Sequence, residues 1–284
     1  MAVVAVNNAP ARLQRTGWRA HLRLGYTAHD DRTVVSDRRH EGPLRVQRPF
    51  HPEGAPCHSY LLHPPGGVVG GDGLDVDIDV GRKAWTVITS PGATKFYRSL
   101  GGEARVEQRI RVAPGGVIEW LPQEQIAFPG AIVSSRTCFE LAPDAHLLGW
   151  ELNCFGRPAS TRPFDHGRFR QRLEVWRGDM PVLLEHARLD GGGKAMAAPW
   201  GLGGHQAMAT LVASPAGADD IKALREALVG LPGEVAVTGF DDLLVLRWRG
   251  PGALEGYQLR ARAWELLRPR LLDRPACPPR IWNT

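Results

Sequence analysis

Over most of the first two thirds of the chain, apolar and polar residues alternate with a period of two, the pattern of half-buried strands. In GWRAHLRLGY, Trp18, Ala20, Leu22, Leu24 and Tyr26 share one face, and Arg19, His21 and Arg23 share the other. ARVEQRIRV sets Val106, Ile110 and Val112 against Arg105, Glu107, Arg109 and Arg111, and RFRQRLEVW repeats the pattern with Phe169, Leu173 and Val175. PLRVQRPF, SYLLH, AWTVITS, VIEWL, AIVSSRTCF, LLGWELNCF, PVLLEHARL and AMATLVA are further strand candidates, separated by Gly and Pro clusters. Together they give an all-β reading over residues 17–213.

Beyond residue 213 the period becomes 3.6. ADDIKALREALVGL places Ile221, Leu224 and Leu228 on one helical face, and Asp219 and Asp220 suit the positive end of the helix. GEVAVTGFDDLLVLRWRG predicts a hairpin turning near Gly239 and Asp241, and ALEGYQLRARAWELLRPRLL predicts a second helix ending near Pro269 or Leu272. The expectation is a mainly β single domain over residues 1–284 with two α-helices in its C-terminal third, near 218–230 and 254–272. Residues 1–16 are expected to be a flexible N-terminal extension, and no sequence repeat is visible.

Charge and cysteine content narrow the classes. The net charge is +5, which nine arginines and four acidic residues within residues 1–48 already account for. Such a segment can face an acidic partner or remain a solvated surface, and no nucleic-acid-reading motif accompanies it. Cys57, Cys138, Cys154 and Cys277 show no C-x-x-C and no framework spacing, which predicts reduced, mostly buried thiols in a cytosolic protein. The apolar run at the N-terminus is too short for a signal peptide, and no stretch approaches the roughly 18 apolar residues of a spanning helix.

GGDGLDVDIDVG, residues 70–81, imitates a calcium repeat, but Asp77 takes the repeat's apolar position and the repeat occurs once. It fails as an EF-hand loop as well, with Val80 where glycine is needed and Thr86 where the bidentate glutamate is needed. A strand with Val76, Ile78 and Val80 inward and Asp75, Asp77 and Asp79 outward fits better. HPEGAPCH, residues 51–58, imitates part of a zinc deaminase site without its second cysteine. H-E-x-x-H, G-x-S-x-G and the P-loop are absent, so catalysis has no visible home. The alternative function is a β-fold metal-dependent hydrolase using His51, Glu53 and His58, and a calcium-dependent β-repeat protein is a weaker third reading.

Three loops are unusual for plain β structure. HPPGGVVGGD (63–72) is a long glycine-rich bend, SPGATKFYRS (90–99) carries Thr94, Lys95, Tyr97 and Arg98 after a turn, and EWLPQEQIAF (119–128) sets Glu119, Gln123 and Glu124 among apolar residues. Rigid polar loops are common binding positions. In order along the chain, PLRVQRPFHPEG, CHSYLLHPPGGVVGGDGLDVDIDV, TSPGATKFYRS, IEWLPQEQIAFPGA, LLGWELNCFGRPAS with Phe164 and Gly167, and PPRIWNT resemble the urease accessory protein D family, also called UreD or UreH. The resemblance runs from about Gly17 to Thr284. It departs at Gly73, where a larger, often basic residue is expected, and this implies a looser local loop.

The resemblance implies a non-enzymatic protein of helical-β or layered-sheet architecture. It implies binding to urease apoprotein, recruitment of accessory protein F and, through it, of the GTPase accessory protein G, and GTP-dependent insertion of nickel into the urease active site. It further implies a cytoplasmic scaffold with a water-filled passage for Ni²⁺, transient nickel binding, and no tightly held cofactor or metal. The residues put forward for the nickel path or for partner binding are His63, Asp72, Thr94, Lys95, Tyr97, Arg98, Glu119, Gln123 and Glu124. No nucleic-acid or membrane partner is expected.

Overall fold

The computed structural model describes residues 17–157, 160 and 162–283; the expected extension 1–16 lies outside the described residues. Fourteen strands precede the first helix in chain order: β1 Arg19–His29, β2 Arg32–Glu41, β3 Arg45–Val46, β4 Cys57–Leu62, β5 Gly73–Val80, β6 Trp85–Thr89, β7 Thr94–Phe96, β8 Ala104–Val112, β9 Val117–Leu121, β10 Gln125–Ala127, β11 Ile132–Leu141, β12 His146–Phe155, β13 Arg168–Arg177 and β14 Met180–Asp190. A short helix α1, Lys194–Ala197, leads to β15 Ala207–Ser214, α2 Ala218–Ala227, β16 Glu234–Phe240, β17 Leu243–Gly250 and α3 Ala253–Leu272.

The strands form two sheets, ordered β14-β13-β11-β8-β5-β1-β2 and β16-β17-β15-β12-β9-β6-β4-β3. From β5 to β12 the chain alternates between them. The crossings β5 to β6, β8 to β9 and β11 to β12 each use four residues: GRKA 81–84, APGG 113–116 and APDA 142–145. The stacked strands are parallel and in register across β5, β8, β11 and β13, and across β6, β9 and β12. The winding is thus helical-β, and the repeat missing from the sequence is present in the backbone. Its turns share length and position, but beyond the Ala-Pro that opens two of them they share no common sequence.

Period-two alternation puts each strand's apolar face between the sheets. Leu22, Leu24, Ile78, Ile110, Trp120, Phe139, Phe155 and Phe169 are the large members of this first core. The second sheet is apolar on its other face too. Leu148, Trp150, Leu211 and Leu246 meet Leu224, Leu228, Leu259, Trp264 and Leu267 of the α2–α3 layer in a second core. The result is three layers, sheet on sheet on helices. Helix α2 stops at Ala227, earlier than the predicted 230. Helix α3 runs past Pro269 to Leu272 and ends at Asp273, whose φ of 50° is left-handed. The hairpin turns where predicted, at Asp241 with φ 51°. Trp18 departs from its expected inward face: it precedes β1 and is 65% exposed.

The three aspartates of GLDVDIDV stand on the outer face of β5, and two of them pair across the sheet. Asp77 accepts from His21 at 2.9 Å, and Asp79 from Arg23 at 3.0 Å and Arg111 at 2.9 Å. At Gly73 the expected looseness is absent. The residue lies in β5, and a Cβ there would meet Arg19 Nη1 at 2.3 Å, so Arg19 already fills the space of the missing side chain.

Candidate functional site

Four neighbouring strands carry a polar residue at an inward-facing position that the pattern reserves for an apolar one. Gln108 stands between Val106 and Ile110 on β8, Thr137 between Ser135 and Phe139 on β11, Gln171 between Phe169 and Leu173 on β13, and Glu151 on β12 of the facing sheet. Gln108 is opposite Thr137 in register, and Gln171 is opposite Ser135. The side chains meet between the sheets: Thr137 Oγ1 contacts Gln108 Oε1 at 2.7 Å and Glu151 Oε1, and Gln171 Nε2 donates to Glu151 Oε2. Glu151 is 2% exposed, and no cation pairs with it among the described residues. Burial pushes its carboxyl above the usual glutamate range, and Glu185 adds to the effect.

Two cavities lie near this row, and Gln108 and Glu151 line the first of them. The first, about 340 Å³, enters between the sheets and is lined by His63, Thr94, Gln123, Gln125, Gln108 and Glu151 together with apolar groups. The second, about 550 Å³, opens between the edge strands β14 and β16 and is lined by Glu185, Thr210, Trp200 and Arg247. Thr210 faces Glu151 across the β12–β15 pair and donates to Glu185 at 3.1 Å; Arg247 donates to Glu185 at 2.7 Å. Along the row, both amide atoms of Asn153 and the hydroxyl of Ser135 are buried with no protein partner, as is Gln125 Oε1. Buried polar groups are normally satisfied by protein or water, and so many orphans in one stretch mark a wet interior. Neither Gln108 nor Gln171 entered the sequence reading, because alternation was traced through the apolar positions. The signal was a polar residue on the apolar face of β8, β11, β12 and β13.

The residues put forward from sequence separate into three groups. His63, Thr94 and Gln123 line the first cavity; burial lowers the His63 imidazole pKa, and nearby Asp72 opposes that shift. Glu124 lies beside this wall, 7% exposed with Oε2 unpartnered, and burial pushes its carboxyl up. Lys95, Tyr97 and Arg98 are exposed outside the cavity mouth. Asp72 is buried and braces the glycine-rich bend, accepting from the Trp18 amide at 2.8 Å and the Val69 amide at 2.9 Å. Glu119 is apart from the cavity, on the helix-facing side of its strand. It is fully buried and bound by Arg268 Nε at 3.0 Å, Trp264 Nε1 at 2.7 Å and Trp85 Nε1 at 2.8 Å.

Arg268 also donates to Glu53 at 2.7 Å, and His58 Nε2 contacts the same carboxylate at 2.7 Å. His51 is engaged with the Thr33 carbonyl. His51, Glu53 and His58 therefore do not form the set a metal-dependent hydrolase needs, since an arginine occupies the glutamate. Among the described residues no three His, Cys, Asp or Glu side chains are grouped to hold a metal ion. The cysteines are free, three of them buried. No helix among the described residues is long and apolar enough to cross a membrane.

A second buried cation, Arg260, fixes the cavity wall. It donates to the Pro122 carbonyl at 2.8 Å and to Gln123 Oε1 and lies over Tyr257, Trp150 and Trp282 at 4.1, 5.0 and 5.5 Å from their ring centroids. Burial lowers its pKa to about 9. Trp282, in the terminal turn Arg280–Asn283, donates to Thr89 Oγ1 at 3.0 Å, tying the end of the chain to the same wall.

Comparison with known proteins supplies the family. The model of the UreD urease accessory protein family matches residues 18–283. Proteins named urease accessory protein UreD from Alkalilimnicola ehrlichii and Citrobacter koseri are 46% and 43% identical over 270 residues, 94% of this chain and 92% of theirs. The Alcanivorax borkumensis protein of that name is 42% identical over 283 residues, 98% of this chain and 96% of its own. With the match spanning both sheets and the helical layer, the chain belongs to the UreD family of urease accessory proteins.

Proposed function

We propose that this chain acts in the cytoplasm as a non-enzymatic scaffold of urease maturation. In this reading it binds urease apoprotein, recruits accessory protein F and with it the GTPase accessory protein G, and hands Ni²⁺ to urease through its own interior. The observation that carries the reading is the row Gln108–Thr137–Glu151–Gln171, a polar line through an otherwise apolar core, two of whose members, Gln108 and Glu151, line the first cavity. A conduit must hold its cargo weakly, since a tight ligand set would trap it. Ni²⁺ accepts carboxylate, imidazole and water. The row offers one carboxylate with hydroxyls and amides, and His63 stands at one mouth. Burial favours the protonated form of the Glu151 carboxyl and a bound divalent cation favours the carboxylate, so uptake and proton release are coupled.

The test is co-expression of Glu151→Gln with the urease operon. The variant is expected to co-purify with urease like wild type while urease nickel per active site falls several-fold. Full nickel loading would reject the passage. Loss of co-purification would assign Glu151, which is buried between the sheets, to holding the fold rather than to the passage.

A further inference from the structure

The outside of the first cavity's mouth is cationic. Lys95, Arg98, Arg157 and Arg162 are all exposed, and none forms a salt bridge among the described residues, although Lys95 acts electrostatically on buried Glu124. Their neighbours join them into one surface. The Tyr97 and Phe128 rings meet edge-on at 5.3 Å, and Arg157 lies 5.0 Å from the centre of Phe128. Arg157 and Arg162 pair across a short bridge. Arg98 and His166 both pack on bare Gly130, where a Cβ would stand 2.8 and 2.9 Å from them. The acidic residue at this place, Asp165, is bonded to His166 at 2.6 Å. The surface reaches the mouth through Thr94, which lines the cavity next to Lys95, and through Tyr97, which donates to the Gly66 carbonyl at 3.2 Å. On adjoining loops Leu100 is 86% and Val69 44% exposed.

We infer that this surface docks an acidic segment of a partner protein, and that docking is what admits a divalent cation to the cavity. The inference rests on the passage reading above. Unpaired cations at a mouth repel Ni²⁺, so this patch does not gather the ion by itself. An acidic segment lying across it cancels that potential and supplies carboxylates at the entrance. The free protein then excludes divalent cations, and the docked protein accepts them. Apolar Leu100, Val69 and the Tyr97 ring stand among the charges, as at protein interfaces with an anchoring centre. A nucleic acid would meet little exposed aromatic face for stacking here, because Tyr97 is held edge-on against Phe128.

The experiment is fluorescence anisotropy on the full chain with a labelled eight-residue peptide alternating Glu and Leu, over a salt series. A Lys-Leu peptide and a 20-nucleotide single-stranded DNA are the comparison probes. The Glu-Leu peptide is expected to bind best, to weaken with salt, and to lose on the order of tenfold or more in affinity with Arg98→Glu/Arg157→Glu. Arg172→Glu, on the exposed face of the first sheet, should leave binding unchanged. The double variant alone should take up Ni²⁺ more readily than wild type in calorimetry, and Lys95→Gln/Arg162→Gln gives an independent pair should the first fail to fold. Salt-independent binding, unchanged affinity in both pairs, or unchanged Ni²⁺ uptake would overturn the inference. Tighter DNA binding lost in the same variants would assign the patch to nucleic acid. Failure of peptide binding while Glu151→Gln still lowers urease nickel removes the docking inference and leaves the passage standing; the reverse result does the opposite.

Discussion

Replacing Arg268 by Met removes the one guanidinium that joins two buried carboxylates. Arg268 and Glu119 have no solvent exposure, and the Glu53 side chain has 11%. Methionine fills much of the volume, so the change is mainly one of charge. It leaves Glu119 with two indole donors, from Trp85 and Trp264, and no cation. Removing one partner of a buried pair costs about 3–5 kcal/mol, because the other charge stays desolvated. At about 2–4 °C per kcal/mol for a chain of this order, the melting temperature falls by roughly 10 °C. Burial already pushes the Glu119 carboxyl up against the pull of Arg268. In the variant it binds a proton, and stability then declines as pH rises through its folded-state pKa. Pairing the change with Glu119→Gln removes the stranded charge and should restore most of the loss. The assay is urea unfolding at pH 6 and pH 8 on all three variants. Arg268→Met within 1 kcal/mol of wild type, or a double variant that only adds the two losses, would refute the reasoning.

Glu151→Gln should stabilise the fold at neutral pH: a carboxyl whose folded pKa is raised stabilises most when protonated and loses that contribution as pH rises, so thermal melts of variant and wild type should converge toward pH 4. Asp72→Ala strands the Trp18 and Val69 amides and should cost about 1–3 kcal/mol in a denaturant melt, leaving its effect on urease nickel no larger than that loss explains. Trp282→Ala, which uncovers one side of Arg260 and frees Thr89, should cost about 2–4 kcal/mol by the same measurement and raise the sensitivity of the C-terminus to carboxypeptidase.

Strand alternation and the change of period after residue 213 were legible because each apolar face has one layer to bury against. The β5–β13 winding was not, since its turns GRKA, APGG and APDA share length but, beyond one Ala-Pro pair in two of them, no sequence. Of the candidate residues, His63, Thr94 and Gln123, which stood out by the odd composition of their loops, line the first cavity. Glu119 lies apart from it for a physical reason. A glutamate in an apolar strand reads the same whether its partner is a passing cation or an arginine 149 positions away, and Arg268 decides it. Gln108, Thr137, Gln171 and Glu151 each look like one tolerated exception within a strand. Their meaning lies in the register that stacks them, which sequence separation hides. Of the nine tryptophans only Trp18 and Trp200 are highly exposed; Trp120, Trp150, Trp248 and Trp264 build the cores.

The passage is tested most directly by making its row apolar. Replacing a buried polar network by apolar groups of similar volume is often neutral or stabilising, by about 1–4 kcal/mol for ionic cases. The triple variant Thr137→Val/Glu151→Leu/Gln171→Leu should therefore fold and melt at or above the wild-type temperature. Urease nickel per active site, measured after co-expression with the urease operon, should fall to the level found with this protein deleted. A folded triple variant that loads urease fully would contradict the account.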